Sequence, residues 1–102
     1  MITLKSAKTL DRLGVINTYN GSMTVIGKTT YTYDTDISIE ELLSKLPKTI
    51  TMFRDKDGSW ETTHHLNRVF YYGEHHKSLA EALSRLLIRL HKEGLCKNQV
   101  DN

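Results

Sequence analysis

One stretch of this chain limits its possible folds more than any other: Lys77 to Gly94, Lys-Ser-Leu-Ala-Glu-Ala-Leu-Ser-Arg-Leu-Leu-Ile-Arg-Leu-His-Lys-Glu-Gly. It carries a helix signal from start to stop. Ser78 followed by Glu81 forms a capping box, in which the serine oxygen takes a free amide of the first turn and the glutamate reaches back to the serine amide. Gly94 is placed to close the helix. Leu79, Leu83, Leu86, Leu87 and Leu90 recur at three- and four-residue steps, which sets them on one stripe, with Glu81, Arg85, Ile88, Arg89 and Lys92 opposite. A stripe of leucines needs a sheet or another helix to cover it, so a layered domain is expected around this helix.

A chain of 102 residues supports one domain with one core. Its 14 basic and 12 acidic residues leave a net charge of +2. That balance lacks the excess of a dedicated nucleic-acid protein, so any basic surface is local. Cys96 is the only cysteine, which excludes an intramolecular disulfide and fits a reducing compartment. The opening Met-Ile-Thr-Leu-Lys-Ser-Ala-Lys lacks the apolar run of a signal peptide, and no segment approaches the roughly 20 apolar residues of a membrane span. A cytoplasmic protein without membrane contact is expected.

Before the long helix the sequence alternates between short helices and strands. Leu4, Ala7, Leu10 and Leu13 predict a short helix over Lys5 to Leu13, stopped by Gly14. Val15 to Tyr19 and Ser22 to Tyr33 are rich in β-branched and aromatic residues and meet at Asn20-Gly21, a pair suited to a tight hairpin turn. In the second arm Met23, Val25, Thr29, Tyr31 and Tyr33 share a face with Gly27 through the period of two, and that face is expected to look inward. Ser38 with Glu41 forms a second capping box, stapled by Ile37 and Leu42, and Pro47 ends this helix near Leu46. Thr49 to Arg54 reads as a strand, Asp55-Lys56-Asp57-Gly58 as a turn, and Trp60 to Tyr72 as two strands with a bend near Asn67. Gly73-Glu74-His75-His76 reads as the loop into the long helix, and the residues from 96 to 102 as a frayed tail. Ser38 to Leu46 echoes Ser78 to Leu86 in pattern, which two capped amphipathic helices produce without duplication.

The expected architecture is a single α+β domain. An antiparallel sheet of four or five strands packs against the long C-terminal helix, with one or two shorter helices. Residues 1–36 supply a helix and hairpin, and 37–95 a helix-strands-helix unit.

Candidate chemistry is sparse. His64-His65 and His75-His76 offer metal-type ligands, but strand neighbours point to opposite faces, so one ion would need a histidine from each pair and a carboxylate such as Glu61 or Glu74. Exposed histidines without a metal are the simpler expectation. Cys96 lacks a nearby base, and Asp34, Asp36, Glu40 and Glu41 sit where a helix start favours negative charge. No catalytic set, phosphate loop, metal, cofactor or small-molecule substrate is therefore expected. Arg85, Arg89 and Lys92, with Lys77 at the helix mouth, form a basic stripe around Ile88, a composition that partner interfaces favour. Tyr71 and Tyr72 are adjacent and face opposite ways, so Tyr72 joins the candidate surface. These six residues, Tyr72, Lys77, Arg85, Ile88, Arg89 and Lys92, mark an expected site for a protein partner or for self-association.

From Ser38 to Gly94 the order helix, strand, strand, strand, helix resembles that of double-stranded-RNA-binding domains. Gly73-Glu74-His75-His76-Lys77-Ser78-Leu79-Ala80 is similar to their glycine loop, with Lys77 alone in the place of their lysine cluster. That resemblance implies nucleic-acid binding as the alternative function. Asp57-Gly58-Ser59-Trp60, Tyr72-Gly73 and Ser78-Leu79-Ala80-Glu81-Ala82-Leu83 resemble the strand-to-helix passage of HicB-type antitoxins, which implies a regulatory domain. The helix ending in Leu-Pro, the Gly-Ser-Trp hairpin and the Ser-Leu-Ala-Glu-Ala-Leu helix together resemble small uncharacterised proteins of bacteriophages and prophages. That resemblance names no activity; the expected function is a non-enzymatic interaction module of phage origin that binds a host protein or self-associates.

Overall fold

A computed structural model describes residues 1–66 and 69–95, with the backbone alone at 66 and 69–74. The bend expected at Asn67, Cys96 and the expected frayed tail lie outside the described residues. The elements run α1 (Leu4–Arg12), β1 (Tyr19–Val25), β2 (Lys28–Tyr33), α2 (Ile39–Lys45), β3 (Ile50–Arg54), β4 (Trp60–Leu66), β5 (Val69–His76) and α3 (Leu79–Lys92). The fold is α+β, and its strands divide between two antiparallel sheets, β1-β2 and β3-β4-β5, instead of forming one.

The helix ends follow their local chemistry. Ser38 Oγ accepts the Glu41 amide at 3.0 Å and Ser78 Oγ accepts the Glu81 amide at 3.2 Å. Ile37 and Leu42, the expected staple of α2, are both buried. At the end of α3, Gly94 takes φ +77° and the Leu95 amide bonds the Leu90 carbonyl, the paired pattern that satisfies the last free carbonyls of a helix. Gly14 and Val15 repeat that pattern after α1, whose start is capped by Thr3.

α3 packs against β4 and β5 and also against α1 and α2. Leu83, Leu86, Leu87 and Leu90 are fully buried in a core shared with Ala7 and Leu10 of α1, Leu42 and Leu46 of the α2 segment, and Ile2, Ile16 and Ile37. Thr62 of β4 donates to the Ala82 carbonyl at 3.1 Å, tying the sheet to the helix. Gly73 to His76, expected as a loop, continues β5. Glu61 pairs with His75 and Thr63 with Tyr72, so β5 carries one extra residue between those pairs, a bulge at its glycine.

The hairpin turn is not at Asn20-Gly21. The reversal falls at Ile26-Gly27, where φ is +50° and +76°, the two left-handed residues of a two-residue hairpin loop. Asn20-Gly21 lies inside β1 at a register irregularity between Tyr19 and Gly21. The shifted turn also changes the faces. Val25 pairs with Lys28 and Met23 with Thr30, so from Gly21 onward odd residues of β1 share a face with even residues of β2, and Met23 and Val25 lie opposite Tyr31 and Tyr33. The expected inward face does not form: Met23, Val25 and Tyr31 are exposed, and only Tyr33 packs against the core.

A β-branched residue with positive φ is strained by roughly 1 to 3 kcal/mol. Ile26→Asn is expected to relieve about 1 kcal/mol of this, read as slower amide exchange across β1 and β2. Unchanged protection would show that the turn holds no strain.

Candidate functional site

Four of the six candidate residues come together, but not on the open helix face expected of them. α1 lies beside α3, and the two helices bound a groove of about 470 Å³. α3 supplies Arg85, Ile88, Arg89 and Lys92 to it, and α1 supplies Lys5, Ser6 and Thr9. Ile88 is half-buried and packs against the edge of the core instead of standing clear in solvent. The α1 wall could not be read from the spacing of α3, because α1's own pattern does not say which neighbour it meets.

Glu81 departs furthest from its expected place. Instead of lying on a solvated face and bonding the Ser78 amide, it is fully buried at the inner wall of the groove. The Ser78 amide is satisfied by His76 Nδ1 at 3.0 Å. The Glu81 carboxylate accepts from the Thr3 amide at 2.8 Å, Ser6 Oγ at 2.8 Å, Thr3 Oγ1 at 3.3 Å and Arg85 Nε at 2.6 Å. Burial pushes its pKa up, but the Thr3 amide, the Arg85 guanidinium and the Ser6 hydroxyl outweigh that and hold it below the ordinary carboxylate value. One buried charge thus fastens the start of α1 to α3 and orients a cation that borders the groove.

Arg85 keeps about a third of its side-chain surface, 37 %, in solvent. Its Nε is committed to Glu81, and among the described residues its two terminal nitrogens have no further partner. Arg89 and Lys92 follow on the last turns of α3, both exposed, and Lys5 stands exposed on the α1 side. Lys77 lies outside this set, exposed before the Ser78 cap and about 12 Å from Arg85 along the helix axis at 1.5 Å per residue. Tyr72 sits in β5 at the position paired with Thr63, and its side chain lies outside the described residues.

The histidines are not the exposed set expected. His64 is buried, with Nδ1 at 3.1 Å from both Thr49 Oγ1 and the Thr49 carbonyl. His75 instead bonds Asp55 and stands near Asp57, the three offering ligand atoms within 4.8 Å of one another at an exposed corner. Asp57 also accepts the Ser59 amide at 2.9 Å, and those Ser59 bonds lower its pKa. Asp55 and Asp57 read only as turn residues in the sequence, because their nearness to His75 depends on the pairing of β4 with β5. The exposed hairpin is a second feature missed: Met23, Val25, Ile26 and Tyr31 leave its faces apolar and uncovered.

No helix among the described residues is long and apolar enough to cross a membrane. Comparison of the chain with protein-family models, with curated proteins and with solved structures gave no match in any of the three.

Proposed function

We propose that this chain is a non-enzymatic interaction module of a bacterial cytoplasm, in keeping with its resemblance to small phage and prophage proteins, that binds a host protein along the groove between α1 and α3. The observation that carries this reading is Ile88, among the described residues the one wholly apolar side chain lining a groove that Arg85, Arg89, Lys92 and Lys5 also line. Binding energy at protein interfaces concentrates where an apolar centre is ringed by side chains that exclude water, and arginine is enriched there. Nucleic-acid binding, the alternative, would use the same cations but draw little from Ile88, because phosphate contacts are driven by charge.

Ile88 therefore separates the two. With tagged protein in bacterial lysate treated with nuclease, a specific captured protein should be lost in Ile88→Asp, since burying an unpaired charge at an interface is costly. Because Ile88 touches the core, Lys92→Glu at an exposed position serves as the parallel variant and should weaken the same capture with an unchanged melting curve. Steeply salt-dependent binding to duplex RNA or DNA that survives Ile88→Asp would overturn the reading. Retained association of the purified chain with itself, lost in Ile88→Asp, would identify the partner as a second copy.

A further inference from the structure

We infer that the groove recognises carboxylates: its occupant is an acidic segment of the partner chain, gripped by Arg85, with Glu81 as the positioning residue. This rests on reading the groove as a protein-binding surface and names the chemistry of what it takes.

A surface arginine ordinarily loses much rotamer freedom when it binds a ligand. Arg85 is already ordered. Its Nε donates to Glu81 at 2.6 Å, and Glu81 is itself held by the Thr3 amide and the Ser6 hydroxyl, each at 2.8 Å. The plane of the guanidinium is thereby set by the fold. With Nε consumed, the donors left are those of the two terminal nitrogens, which lie side by side and match the two oxygens of a carboxylate.

Charge in the groove points the same way. Lys5, Arg85, Arg89 and Lys92 border it, and the one carboxylate among its lining residues, Glu81, is buried and bonded. The hydroxyls compete little: Ser6 Oγ donates to Glu81, and Thr9 Oγ1 donates to the Lys5 carbonyl at 2.9 Å. Recognition therefore falls to cations around Ile88, which suits alternating acidic and apolar side chains better than a phosphate backbone with nothing to place on the isoleucine.

The test uses the whole protein and two labelled hexapeptides, Glu-Leu-Glu-Glu-Leu-Glu and Gln-Leu-Gln-Gln-Leu-Gln, followed by fluorescence anisotropy. The glutamate peptide should bind at least about tenfold more tightly than the glutamine peptide, the scale of one charge-assisted contact. Arg85→Gln should remove most of that preference, and Arg85→Lys should not restore it, because an ammonium lacks the fork. Glu81→Gln should weaken the glutamate peptide in the native background and have no effect in the Arg85→Gln background. A purely structural role for Glu81 would weaken both backgrounds alike. Equal binding of the two peptides, binding of neither, or indifference to Arg85→Gln would overturn the inference. If capture of a protein still depends on Ile88 while the peptides bind equally, the interaction module stands and its acidic ligand falls. Glutamate-selective binding that ignores Ile88→Asp sinks the Ile88-centred module instead, and tighter binding of duplex RNA than of either peptide assigns the groove to phosphate.

Discussion

Leu83→Ala and Leu86→Ala should each lower the unfolding free energy by about 2 to 5 kcal/mol, the range for removing a buried leucine side chain. Both residues are fully buried, and both belong to the core that joins α3 to α1 and to the segment of α2. Neither neighbour can close the gap easily, since α3 is held on the sheet side by the Thr62 bond to Ala82 and on the α1 side by Glu81. A small domain has a total stability of roughly 5 to 15 kcal/mol, so either change should shift the urea midpoint well outside error. A loss below about 1 kcal/mol in both variants would mean that the leucine stripe is not the centre of the core.

Glu81→Ala should cost about 2 to 4 kcal/mol, because it strips bonding partners from the Thr3 amide, the Ser6 hydroxyl and the Arg85 guanidinium together. Arg85 is partly exposed and recovers some hydration, which keeps the figure below that of a fully buried pair. The same carboxylate makes stability depend on pH. Its pKa in the folded chain lies below the ordinary 4.5, so its contribution is complete above that value and is lost as pH falls through the folded pKa. Melts taken downward from pH 4.5 should therefore show the native protein losing stability faster than Glu81→Gln. Parallel curves for the two proteins would show that Glu81 does not govern the acid limb.

What could be read from the chain alone is whatever depends on residues a few positions apart. The Ser78 and Ser38 oxygens on the amides of Glu81 and Glu41, the Ile37 and Leu42 staple, and the glycines Gly94 and Gly58 at a helix end and a turn are local arrangements, and each appears where its spacing placed it, whereas the return bond of Glu81 to the Ser78 amide does not form. The leucine stripe was legible for the same reason, since a helix repeats every 3.6 residues whatever it packs against. The basic residues flanking Ile88 were legible as a composition on one helix.

Contacts between distant segments decided the remainder. Asn20-Gly21 has the better turn chemistry, yet it cannot be the hairpin turn, because the arm before it is bonded to α1. Thr18 Oγ1 bonds the Ala7 carbonyl at 2.7 Å, the Thr18 amide bonds Asp11 at 3.1 Å, and Ile16 is buried in the core. Pairing of that arm with Ser22 and its neighbours would forfeit those contacts, so the reversal moves to Ile26-Gly27 and the faces of the ribbon move with it. Glu81 looked like half of a capping box and became an anchor for a segment 78 residues away in sequence. The groove has α3 as one wall and α1 as the other, so its shape, the orientation of Arg85 and the place of Lys5 opposite the arginines exist only once the two helices meet. A periodic pattern states which side of a helix is apolar, but only packing determines which polar residues that burial carries inside with it.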